Sequence, residues 1–153
     1  MKKSLFCVVL LILALAVTPG LSADEIIFYA YGRSNAAEHP SMAGHAFVEL
    51  VGYGVFGFYP VRQGSAYSDG VVRNDAGEVY YAIVSNEIVI SRRQWEAAKR
   101  VIDSWWNRPP DYIIGVRDCI NFVYAVAEAA GLDHDRFYTR GTALPETAVL
   151  SIR

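Results

Sequence analysis

His45-Ala46-Phe47-Val48-Glu49-Leu50-Val51-Gly52-Tyr53-Gly54-Val55-Phe56-Gly57-Phe58-Tyr59-Pro60 is the stretch from which the fold is read. Alternation from His45 to Val51 puts His45, Phe47 and Glu49 on one face of a strand, and Ala46, Val48 and Leu50 on the other. Gly52-Tyr53-Gly54 supplies a tight turn, and the chain returns through a second strand that Pro60 ends. The pair predicts an antiparallel β-hairpin. Upstream, Ile26 to Tyr31 is apolar and aromatic and predicts a first strand, whereas 32–43, interrupted by His39-Pro40, reads as a loop. Downstream, 61–78 reads as an irregular stretch closing on the turn signal Asn74-Asp75-Ala76-Gly77. Val79 to Ile90 then reads as one long strand, or two short ones broken at Ser85-Asn86.

Two helices follow. Ser91 and Gln94 make a capping box, Ile90 and Trp95 a hydrophobic staple, and Pro109-Pro110 a stop. Trp95, Ala98, Ile102 and Trp105 share one face, so the tryptophans read as core. The second helix opens at Asp118-Cys119 with Asp118 as N-cap, buries Phe122, Val123, Val126, Ala127 and Ala130, and stops at Gly131 as C′ residue. Beyond it only Ala148 to Ile152 reads as ordered, as a short edge strand. The expected fold class is α+β: an antiparallel sheet packed against two main helices, in one domain over residues 24–153.

The chain begins as an export signal does. Lys2 and Lys3 precede an apolar run from Leu5 to Val17, followed by small residues up to Ala23. The run is shorter than the roughly 20 residues that span a bilayer, so cleavage after Ala23 is expected, giving a periplasmic or secreted protein with no stable membrane insertion. The remaining chain of about 130 residues is long enough to bury a core, and 53% hydrophobic residues favour one. Without Lys2 and Lys3 the balance is 12 basic to 16 acidic side chains. Arg92-Arg93 and Lys99-Arg100 lie beside Glu96 and Asp103 as a solvated, locally paired face, so a nucleic-acid partner is not expected. Three histidines without Cys-x-x-Cys or His-x-x-x-His spacing give no metal site, and no cofactor is expected.

Cys119 is the only cysteine left after the leader. It stands in the first turn of its helix, where unpaired N–H groups and the helix dipole favour a thiolate and its own N–H is free to stabilise an oxyanion. His45, following a glycine at the start of a strand otherwise built for burial, is the candidate base. His39 beside Pro40 and His134 between Asp133 and Asp135 read as solvated. A lone thiol and a distant strand histidine are the parts a cysteine hydrolase requires.

Asp118-Cys119-x-x-Phe122-Val123, opening an Ala-rich helix that ends in Ala130-Gly131-Leu132, resembles the nucleophile helix of the NlpC-type cell-wall cysteine peptidases, which are small papain-like enzymes. In those enzymes the cysteine helix comes first. Here His45 precedes Cys119, an order that resembles the circularly permuted branch containing the lecithin:retinol acyltransferase-like proteins. That branch has Asn-Cys-x-x-Phe-Val where this chain has Asp118, whose carboxylate opposes a thiolate unless capping bonds occupy it. The resemblance covers His45 to Leu132. It implies that Cys119 attacks a carbonyl to form an acyl-enzyme and that His45 holds the proton. It also implies a polar residue on the following strand to orient the imidazole. That strand offers Tyr59; Glu49 shares a face with His45 but sits about 13 Å along the strand.

An amide bond in peptidoglycan peptides is the substrate that compartment and resemblance imply, with lipid acyl hydrolysis or transfer as the rival chemistry. A non-catalytic periplasmic binding or inhibitory module on the same fold is the other class of reading. It would leave Cys119 no more reactive than an ordinary thiol.

Overall fold

The structure, a computed structural model, describes residues 24–32, 44–135 and 144–153. The expected leader, His39 and most of the 32–43 loop lie outside the described residues. The strands are β1 (Asp24–Tyr31), β2 (His45–Leu50), β3 (Gly54–Pro60), β4 (Tyr67–Ser68), β5 (Gly70–Asn74), β6 (Val84–Ile90) and β7 (Tyr112–Ile113). The helices are α1 (Arg92–Asn107), α2 (Cys119–Ala129) and α3 (Pro145–Leu150), with a 3-10 helix at Ala76–Tyr81. The fold is α+β. Five strands form an antiparallel sheet in the order β5-β3-β2-β1-β6, and β4 pairs with β7 in a small second sheet.

The period-2 pattern divides the main sheet into two buried faces. Ile26, Phe28, Ala30, Ala46, Val48, Leu50, Phe56, Phe58 and Val72 pack toward the helices. Ile27, Tyr29, Tyr31, Phe47 and Val55 pack on the opposite face with Val79, Tyr81 and Ala82. Of the expected tryptophan stripe, Trp95 is buried and Trp105 packs edge-on against Phe58, centroids 4.8 Å apart. Trp105 and Phe58 both approach Phe122, which locks α2 onto α1 and β3. Gln94, besides closing the Ser91 capping box, donates from Nε2 to the Ala130 carbonyl at 2.6 Å, tying the start of α1 to the end of α2. Gly131 has φ +70°, and Leu132 N–H to Ala127 O and Gly131 N–H to Glu128 O complete a Schellman cap.

Three expectations are corrected. The 61–78 stretch is not irregular, because it carries β4, β5 and the start of the 3-10 helix. Val79 to Tyr81 belongs to that helix and not to a strand. The Asn74 side chain accepts the Ala76 N–H, Glu78 N–H bonds to Asp75 O, and this Asx-type turn tightens the chain before β6. Ser85-Asn86 does not break β6, which pairs with β1 along its length. Asn86 is accommodated because its Nδ2 donates to Val149 O at 3.0 Å and Ile152 O at 2.7 Å. Finally, Ala148 to Ile152 is not an edge strand. Pro145 begins α3, and Ala148, Val149 and Ile152 are buried at helical spacing. No helix among the described residues is long and apolar enough to cross a membrane.

Asn86 therefore fastens α3 to the sheet. Asn86→Ala is expected to lower stability by about 1–3 kcal/mol, because two carbonyls lose their donor. Urea unfolding measures the loss, and hydrogen exchange should show it concentrated at α3.

Candidate functional site

The site lies where β2 begins and α2 begins. His45 is buried, and its ring stacks on Tyr59 with centroids 4.3 Å apart, with Phe47 and Tyr31 further around it. Its Nε2 stands 2.9 Å from Asp75 Oδ2. A carboxylate only accepts, so Nε2 carries the hydrogen and Nδ1 is left as the basic nitrogen. The Cys119 side chain is within hydrogen-bonding reach of the same imidazole. Burial works against a charged ring, but the Asp75 hydrogen bond and the neighbouring Cys119 outweigh it, raising His45 from its ordinary 6.5 to about 9.

The side chain that orients the imidazole is Asp75, not Tyr59 or Glu49. Tyr59 acts one bond further out. Its OH donates to Asp75 Oδ2 at 2.9 Å, so this one carboxylate oxygen takes both donors. Burial, and then the Asp75 charge, raise the Tyr59 phenol far above its ordinary range and keep it a neutral donor. Glu49 is spent elsewhere, accepting from Tyr29 OH at 2.8 Å. Asp75 is itself buried, with its N–H on Val55 O and its C=O accepting from Glu78 N–H. Glu78 also accepts from Tyr31 OH at 3.1 Å, joining the 3-10 helix to the ring cluster around His45.

Gly57 makes the contact possible. A Cβ built there would fall inside the Asp75 carboxylate and 2.5 Å from His45 Nε2. A glycine inside a strand is the one sequence feature here that could have marked a close approach across the sheet. The partner it admits lies beyond an intervening turn, in a segment whose composition suggested only a loop.

The Cys119 helix is held by its own N-cap. Asp118 Oδ1 accepts from Ile120 N–H and Asn121 N–H at 3.0 and 3.3 Å, and Oδ2 accepts from Gly115 N–H at 2.8 Å. Asn121 returns the bond from its Oδ1 to Asp118 N–H. The carboxylate beside Cys119 is thus engaged by three N–H groups. Cys119, in the first position of α2, has an amide with no acceptor within the helix. Tyr112 on β7 lies close by, its phenol pushed well up by burial and then by Cys119 and Asp118.

His134 is not solvated: its side chain is 6% exposed, its ring stacks on Tyr124 at 3.8 Å, and Nε2 meets Glu128 Oε1 at 3.0 Å. It belongs to the packing behind α2. Among the described residues no group of three or more His, Cys, Asp or Glu could hold a metal ion. Compared with protein-family models, with curated proteins and with solved structures, the chain gives no match.

Two outcomes follow. Gly57→Ala should separate His45 from Asp75 and slow any reaction at Cys119 by about 10²-fold, with the fold retained by circular dichroism. Because the folded-state pKa of His45 is raised, its contribution to stability is complete below about pH 6.5 and is lost as pH rises through about 9. Asp75→Asn should flatten that dependence. Urea midpoints from about pH 6 to about pH 10 for both proteins read the difference.

Proposed function

We propose that this protein is a cysteine hydrolase of permuted papain-like, NlpC-type architecture that works through an acyl-enzyme on Cys119. The observation that carries the reading is the buried His45 imidazole, bonded by Nε2 to Asp75 and turned toward Cys119 at a helix N-terminus. In the first step the Cys119 Sγ attacks the substrate carbonyl carbon with its proton already held on His45 Nδ1, the imidazole being kept charged at neutral pH by Asp75 and Cys119. The Cys119 N–H stabilises the oxyanion of the tetrahedral intermediate. Collapse breaks the bond to the leaving amine, which takes the proton from Nδ1, and leaves a thioester. Water then attacks the thioester with Nδ1 again accepting the proton, and the carboxylic acid leaves. Throughout, Asp75 fixes the tautomer and ring angle, and Tyr59 holds Asp75.

The substrate proposed is an amide bond in peptidoglycan peptides, met after export. A lipid acyl donor is the second reading. It is favoured by the exposed Tyr67, Ile114 and Val116 on the small sheet and turn that lead into Asp118-Cys119.

Wild type should release stem peptides from purified sacculi, Cys119→Ala should release none, and His45→Ala should be slower by about 10²–10⁴. Release of fatty acid from a lipid ester, with none of stem peptide, would replace the first substrate by the second. Iodoacetamide alkylation of native protein at an ordinary thiol rate, unchanged by His45→Ala, would instead indicate a binding module.

A further inference from the structure

Asp75 stands at the N-cap of the 3-10 helix at Ala76–Tyr81, yet its side chain makes no capping bond there. An aspartate in that position ordinarily accepts from the helix's own first N–H groups. Here the carboxylate is turned to His45 and Tyr59, and Asn74 takes the Ala76 N–H instead. None of the six helical residues is buried. The segment that carries the orienting carboxylate is therefore short and has no core residue of its own. We propose that Tyr31 and Glu78 are positioning residues for His45: their hydrogen bond latches this helix to β1 and so sets the place of the Asp75 carboxylate against the imidazole. The proposal rests on the reading of Cys119 and His45 as the reacting pair.

The path of the chain shows where the latch acts. β5 lies outside β3 and β6 lies outside β1, so the segment between them crosses β3, β2 and β1. It leaves β3 where Asp75 N–H donates to Val55 O at 3.0 Å, and it rejoins β1 where Ile83 N–H donates to Ala30 O at 2.9 Å. His45 and Phe47 belong to β2, in the middle of that crossing. Val79, Tyr81 and Ala82 pack on the sheet face of Tyr29, Tyr31 and Phe47. Between the two backbone anchors, Tyr31 OH donates to Glu78 Oε2 at 3.1 Å.

Tyr31 suits this task. It is buried, it pairs with His45 across β1 and β2, and its ring centroid lies 5.7 Å from that of the imidazole. Burial, and then the Glu78 charge, hold its phenol far above its ordinary range, so it stays a neutral donor. Glu78 N–H in turn donates to Asp75 O at 2.8 Å, so a displacement of Glu78 passes directly to the residue that bears the carboxylate. Tyr59 holds the carboxylate oxygen, whereas Tyr31 holds the backbone that carries it.

Proton NMR of the full chain tests the latch at His45 itself. The Nε2–H bonded to Asp75 should give a downfield resonance in wild type that is absent in His45→Ala. Tyr31→Phe and Glu78→Ala should each weaken that resonance and slow iodoacetamide alkylation of Cys119 at neutral pH by about tenfold. The ionisable side chains around His45, among the described residues, are Asp75, Tyr59, Tyr31 and Cys119. Because the Asp75 bond raises the imidazole, loosening it should bring the His45 titration below its wild-type value of about 9. The double variant should be no slower than either single one, since both break the same bond. Glu78→Gln, whose amide oxygen accepts the same hydrogen, should recover most of the rate lost in Glu78→Ala. Glu78 is only partly buried, so its variants carry the test if Tyr31→Phe does not fold. A lower urea midpoint with the His45 resonance and titration unmoved makes the bond structural and overturns the proposal. Additive losses in the double variant overturn it as well. A wild-type thiol of ordinary rate overturns the hydrolase reading instead, while the His45 resonance still reports the latch, so the two failures are read apart.

Discussion

A buried imidazole facing a buried carboxylate is the constraint around which the rest of this molecule is arranged. Taking an ionisable pair out of water is costly unless the geometry is close and the remaining lone pairs find donors. Here the pair sits 2.9 Å apart, Tyr59 supplies a second donor to the same oxygen, and Phe47, Tyr31 and Tyr59 surround the ring. The absence of a side chain at Gly57 creates the space. The turn at Asn74 and the 3-10 helix after it bring the carboxylate back over β3, and the Tyr31–Glu78 bond ties that helix to β1.

The second arrangement is at the helix terminus. An N-cap carboxylate next to a thiol would disfavour the thiolate if its charge were exposed to the sulfur alone. Asp118 instead spreads its charge over three backbone N–H groups, one of them on Gly115, so the cap and the turn before it are built together. The aromatic contacts of Phe58 with Trp105, Phe122 and Tyr112 then fix α2 and β7 relative to the sheet. Both ends of the His45–Cys119 pair are fixed in this way, which leaves little freedom between imidazole and thiol.

What sequence alone determined was local. The hairpin at 45–60, the Ser91 capping box, the Asp118 N-cap and the Gly131 stop each rest on interactions within a few residues, and neighbouring residues suffice to specify them. His45 and Cys119 stood out for the same reason, by their places at the start of a strand and of a helix. The tertiary structure decided what depends on distant parts of the chain. Asp75 reaches His45 only because β5 pairs beside β3 and a glycine leaves the gap between them. Asn86 can stay in a strand only because α3 brings two carbonyls to it. His134 is packed only because Tyr124 and Glu128 on α2 face it. Periodicity and capping record which face a residue presents. They carry no information about which residue, tens of positions away, will be folded against that face.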